Sequence, residues 1–169
     1  MNTPISGPVV LSKLLAAKRI KLNLAGTTRD EVLQELVAQI SELADQPAAR
    51  HTLLRALVER EQLHSTGIGD GIALPHTRNA LAGIVDHAVI VLGRHPAGIP
   101  YGAVDGVPAR LFFLIVAPAI TEHLAILARI SRLLRDETLR QSLLAANQQD
   151  EIIAVIRAAE AKQQGGFRL

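Results

Sequence analysis

The 169-residue chain has no cysteine and no tryptophan, and only one tyrosine, three phenylalanines and one methionine. Without cysteine there is no disulfide framework, no thiolate metal site and no phosphocysteine chemistry. Four aromatic side chains offer little for base stacking, and 18 basic against 16 acidic residues leave a net charge of only +2. Both facts argue against a nucleic-acid partner. The densest basic stretch, Arg129, Arg132 and Arg135, falls on one helix face and reads as a solvated surface. Long apolar runs are missing too. The longest uncharged one, Leu111 to Ile120, has ten residues and contains Pro118, too short to cross a bilayer. No basic segment followed by an apolar one marks a secretory leader. These absences predict a cytoplasmic protein with no direct membrane insertion.

Several chemistries are also excluded by spacing. The six histidines show no His-x-x-x-His or equivalent pattern, so no metal site is assigned. Gly67, Gly69 and Gly71 are not followed by Gly-Lys-Ser/Thr, and no Gly-x-Ser-x-Gly element exists. Nucleotide binding and serine hydrolysis therefore lack support, and no cofactor is expected.

What is present is an aliphatic core, with 49% hydrophobic residues drawn mainly from Leu, Ile, Val and Ala. A chain of this length predicts one domain, here residues 10–161, with loose ends at 1–9 and 162–169. Ile20 to Leu24 alternates as a short strand does, and Thr28-Arg29-Asp30-Glu31 is a capping-box pattern. Val32, Leu33, Leu36, Val37, Ile40 and Leu43 then follow at helical spacing, and Pro47 opens a second helix toward Leu63. Ile84 to Leu92 and Arg110 to Ala117 have strand length and a Pro/Gly-rich connection. Thr121 suits the cap of a helix that turns Leu124, Leu127, Ile130, Leu133 and Leu134 inward. Two amphipathic segments follow, from Asp136 to Ala145 and from Asp150 to Ala161, each with an acidic residue placed to cap it. The order predicts an α/β fold: a small mixed β-sheet flanked by helices on both faces.

The segment from Ser65 to Arg78 carries the chemistry. A turn with three glycines leads into a short apolar stretch, and Pro75 then fixes the backbone before His76. An imidazole so placed serves as a structural group or as a nucleophile. Arg60 lies near the end of the second helix, as a surface charge or as a planar fork of donors for an anion. His123 falls in the first turn of its helix, where the dipole disfavours imidazolium. It reads as an ordinary helix-start residue or as a neutral N–H donor to an anion.

Together these segments resemble a known family. Val58-Glu59-Arg60-Glu61-Gln62-Leu63, followed by Ser65-Thr66-Gly67-Ile68-Gly69-Asp70-Gly71-Ile72-Ala73-Leu74-Pro75-His76, is similar to the phosphorylation-site signature of type-2 EIIA domains. These belong to the bacterial phosphoenolpyruvate-dependent phosphotransferase system, in its fructose, mannitol and nitrogen-regulatory group. Asp105-Gly106-Val107-Pro108, Leu111 to Pro118 and Glu122 to Ala128 resemble the family's second conserved region. The likeness covers about residues 10–158. It implies a phosphorylated histidine at His76, with His123 and Arg60 stabilising the phosphoryl group. It further implies phospho-HPr, or its nitrogen-branch homologue, as donor, and Nε2 as the reactive nitrogen.

The stretch Leu127 to Asp136 resembles the stand-alone nitrogen-regulatory branch, which implies a regulatory phospho-switch acting on a target protein. Gly93-Arg94-His95 and Pro108-Ala109-Arg110 depart from that branch's commonest forms. The alternative is the EIIA component of a fructose/mannitol-type transporter, passing phosphate to a separate EIIB.

Overall fold

A computed structural model describes residues 9–165. The centre of the fold is an antiparallel pair, β4 (Val89–Ile99) and β5 (Ala109–Val116). Beside β4 runs β1 (Ile20–Lys21), parallel to it. Beside β5 runs β3 (Ile72–Ala73), also parallel, and β2 (Gly67–Gly69) closes that edge antiparallel to β3. The order β1-β4-β5-β3-β2 makes a mixed five-stranded sheet.

Both faces of this sheet are buried, which is why its central strands read as unbroken apolar runs. Along β5, Leu111, Phe113 and Ile115 point to one core, while Phe112, Leu114 and Val116 point to the other. The first core is covered by α1 (Leu11–Leu14), α4 (Ile120–Leu133), α5 (Glu137–Ala145) and α6 (Gln149–Gly165). The second is covered by α2 (Arg29–Ala38) and α3 (Pro47–Leu63). The predicted α/β arrangement, a mixed sheet with helices on both faces, is the observed one.

Local departures have local causes. The apolar stripe expected to continue through Leu43 breaks after Ala38, and Leu43 is buried from a separate 3-10 turn, Ser41–Leu43. The capping box forms one residue off. Thr28 accepts from the Glu31 N–H, but the Glu31 carboxylate reaches back to the N–H of Thr27 at 2.7 Å. The strand expected at Ile84 to Leu92 starts later and runs to Ile99, with a register shift between Arg94 and Ile99. Pro96 lacks an N–H for the ladder, so a bulge there is the way to continue the strand.

Helix α4 starts at Ile120, and Thr121 lies inside it rather than capping it. That start puts His123, Ile126, Ile130 and Leu133 on the buried stripe, and Leu124, expected to face inward, is 57% exposed. Asp136 does cap α5, accepting from Thr138 N–H at 2.9 Å. Asp150 instead sits in the first turn of α6. Glu160 of α6 is buried and accepts the backbone N–H groups of Leu11 and Ser12 at 2.8 and 2.9 Å. Arg129 of α4 stands 3.8 Å from the same carboxylate. Of the loose ends expected at 1–9 and 162–169, residues 1–8 and 166–169 lie outside the described residues, while 162–165 are helical, since α6 continues to Gly165. Among the described residues, no helix is long and apolar enough to cross a membrane.

Candidate active site

The β2–β3 turn is a run of three left-handed residues, Gly69 (φ 91°), Asp70 (φ 55°) and Gly71 (φ 76°). Glycine adopts this region freely, but Asp70 is held there against its preference. Asp105 supplies the restraint, accepting the Asp70 N–H at 2.9 Å and the Val107 N–H at 3.0 Å. These two backbone bonds keep the Asp105 carboxyl below the usual carboxylate range. A side chain at Gly69 would meet Asp105 Oδ2 at 2.9 Å in addition to the strain of its left-handed backbone.

From this turn the chain is pinned residue by residue toward His76. The Leu74 N–H donates to Thr66 O at 3.0 Å, and Pro75 O accepts from Ile115 N–H at 3.0 Å. His76 then lies in a parallel bridge with Ile115, just past the end of β3. Its Nδ1 sits 2.7 Å from the carbonyl oxygen of Leu74. A carbonyl only accepts, so Nδ1 carries the proton and Nε2 keeps its lone pair. Burial is the main cause lowering the pKa of His76, and the nearby Arg60 charge lowers it further. The Leu74 carbonyl and Glu61 act in the opposite sense. The imidazole therefore stays neutral, and hence nucleophilic, below its ordinary titration range.

His123 reaches the same place from the other helical layer. It is 2% exposed, its ring centroid is 5.4 Å from that of His76, and the two planes are inclined by 57°. Burial first, and His76 second, lower its pKa, so it too is neutral. Its Nδ1 is buried without a hydrogen-bond partner among the described residues.

Arg60, in the last turn of α3, donates to His64 O at 2.7 Å and so closes the helix end. Its remaining guanidinium N–H groups bond no protein group among the described residues. The three predicted residues thus come from the sheet and from both helical layers. No group of three or more potential metal ligands gathers among the described residues.

Two residues read only as part of a motif, Glu61 and Thr66, form with Tyr101, which no motif contained, a buried network beside the site. The Glu61 carboxylate accepts Thr66 N–H at 3.0 Å, Tyr101 O–H at 2.8 Å and the Thr66 hydroxyl. The signal for it was in the helix pattern. Leu53, Leu57 and Glu61 occupy one buried stripe of α3, and a carboxylate there requires partners.

A mixed five-stranded sheet with helices on both faces matches solved EIIA structures. The nitrogen regulatory protein IIA-Ntr from Neisseria meningitidis superposes with a TM-score of 0.77 at 25% identity, covering 88% of this chain and 99% of that one. The family model described as phosphoenolpyruvate-dependent sugar phosphotransferase system, EIIA 2, matches residues 13–159. The chain belongs to this family. Among its relatives, the fructose-specific EIIABC component of Bacillus subtilis is 38% identical over 86% of this chain, which spans only 23% of that protein. The nitrogen regulatory protein of Bradyrhizobium diazoefficiens is 32% identical over 86% of this chain and 94% of its own length.

Proposed function

We propose that this protein is a phosphocarrier whose His76 accepts a phosphoryl group from phospho-HPr or its nitrogen-branch homologue. The observation that carries this reading is the Nδ1–Leu74 hydrogen bond, which leaves the Nε2 lone pair as the nucleophile. That pair attacks the phosphorus of the donor's phosphohistidine. The new Nε2–P bond forms as the donor's P–N bond breaks, and the departing pair returns to the donor imidazole. Nδ1 keeps its proton on Leu74 throughout. Arg60 and His123 hold the equatorial oxygens, and the catalysis is alignment and charge placement.

The surroundings suit a protein donor. The large apolar side chains left exposed among the described residues are Leu63, Ile68, Val104, Val107, Ile120 and Leu124. They lie on the end of α3, on β2, around Asp105 and beside His123, the segments that build the site. An apolar rim around a reactive group is what a transient docking face requires.

Phosphohistidine adds negative charge to that rim, which makes it a switch for target binding. Similarity along nearly the full length of a nitrogen regulatory protein supports the regulatory reading. The higher identity to a fructose-specific component supports a second reading, donation to a separate EIIB. Incubation with phosphoenolpyruvate and the general donor proteins tests the carrier chemistry. Acid-labile, base-stable label on the wild type and none on His76→Ala is the expected result; an unlabelled wild type beside charged donor overturns it. Adding candidate EIIB proteins separates the two readings, since rapid loss of label to one of them selects transport.

A further inference from the structure

Glu61 is 4% exposed, and the groups that hydrogen-bond its carboxylate are all neutral. The adjacent Arg60 turns to His64 O instead, and no cation pairs with Glu61 among the described residues. A buried carboxylate with only neutral partners bears a desolvation cost that an apolar residue on the same helix stripe would avoid. Such a group is retained where its charge or its hydrogen bonds serve a site.

Its bonds lead directly to the nucleophile. Glu61 holds Thr66 by both its N–H and its hydroxyl. Thr66 O accepts the Leu74 N–H at 3.0 Å, and Leu74 O takes the Nδ1 proton of His76 at 2.7 Å. The path thus runs carboxylate, Thr66 backbone, Leu74 backbone, imidazole. Tyr101 braces the carboxylate from the opposite side. Burial, and then the Glu61 charge, push its phenol pKa up, so it remains a donor. Its ring packs edge-on against Phe112 at 5.5 Å, and its own carbonyl accepts from the Ser65 hydroxyl.

From this geometry we infer that Glu61 is a positioning residue for His76. It fixes the Leu74 carbonyl that selects the Nδ1–H tautomer and places negative charge behind the ring. The role rests on His76 being the phosphoryl acceptor, and it acts before any phosphate arrives.

The test uses the full chain with Glu61→Gln, which keeps size and one carbonyl acceptor but removes the charge. Thr66→Val and Thr66→Ser form a second pair. Ring ¹⁵N shifts of His76 report the tautomer and its titration midpoint, phosphorylation by charged donor reports the rate, and amide dispersion reports folding. For a folded Glu61→Gln protein the expected result has three parts: loss of the dominant Nδ1–H signature, a lower His76 midpoint and a roughly 10- to 100-fold slower phosphorylation. Thr66→Val should follow it, and Thr66→Ser should restore most of the wild-type behaviour. Wild-type tautomer and midpoint in folded Glu61→Gln overturn the inference. A shifted tautomer in a protein whose wild type takes no phosphate sustains the positioning role and overturns the carrier reading instead. If Glu61→Gln does not fold, the Thr66 pair decides: equal tautomer and rate in Val and Ser overturn the role.

Discussion

His76 and His95 each give one ring proton to a backbone carbonyl, the first to Leu74 and the second to Gly26. They differ at the other nitrogen. In His95, on the bulged part of β4, Nδ1 accepts the Gly98 N–H at 3.0 Å. In His76, past the end of β3, no protein donor among the described residues occupies Nε2. One imidazole is a fully bonded brace between the β1–α2 loop and the β4 bulge, and the other holds a lone pair in reserve. On the proposed reading, reactivity at this end of the sheet comes from leaving one bond unmade. Residue type and carbonyl contact are common to both sites, so neither distinguishes a reactive histidine from a structural one.

Substitutions can break this contrast. His76→Ala should abolish phosphorylation while leaving thermal stability near wild type, since the residue packs at the sheet end rather than in either core. Label assays and a melting curve check the two halves. Next in size, His123→Ala and Arg60→Ala should each slow phosphorylation by about 100-fold, the usual loss for a donor aimed at transition-state charge. Single-turnover kinetics with charged donor measures it, and wild-type rates in both would leave His76 without its proposed partners.

His95→Ala should show the opposite profile. It strands Gly26 O and Gly98 N–H and should cost about 2 kcal/mol in denaturant unfolding. The phosphorylation rate per folded molecule should not change.

The smallest effect is in pH. Burial makes folded His76 a weaker base than the ordinary imidazole at 6.5. Below that value the unfolded chain binds more protons, so stability is full above pH 6.5 and declines as pH falls toward the folded value. The phosphorylation rate should stay flat from pH 8 through 6.5 and drop only below, by less than the effect of any site substitution. NMR titration of His76 alongside the rate profile checks the sign.

Much of this was legible because it was local. Pro75 before His76, the glycines of the β2–β3 turn and the helical spacing of α2 to α6 all act over a few residues. β5 needed only the length of its apolar run. What was not legible depends on partners distant in the chain. Arg94, part of a departure from the nitrogen-regulatory branch's commonest forms, donates to the carbonyls of Leu143, Leu144 and Ala146 and so closes the end of α5. Gly93 lies against Leu36, whose Cδ2 a side chain would meet at 2.6 Å. Gly93 and Arg94 therefore brace the helices, whereas Pro108-Ala109-Arg110 lies against the β2–β3 turn, where the Arg110 N–H donates to Gly71 O at 2.8 Å. The helix stripe marked Glu61 as buried, but its partner Tyr101, 40 positions away, was hidden for the same reason.

The Glu160 carboxylate, by gripping the first turn of α1, staples two stretches of chain that lie 149 positions apart. The first and last helices of the described residues are thereby latched to each other, and neither can peel from the sheet without giving up these bonds.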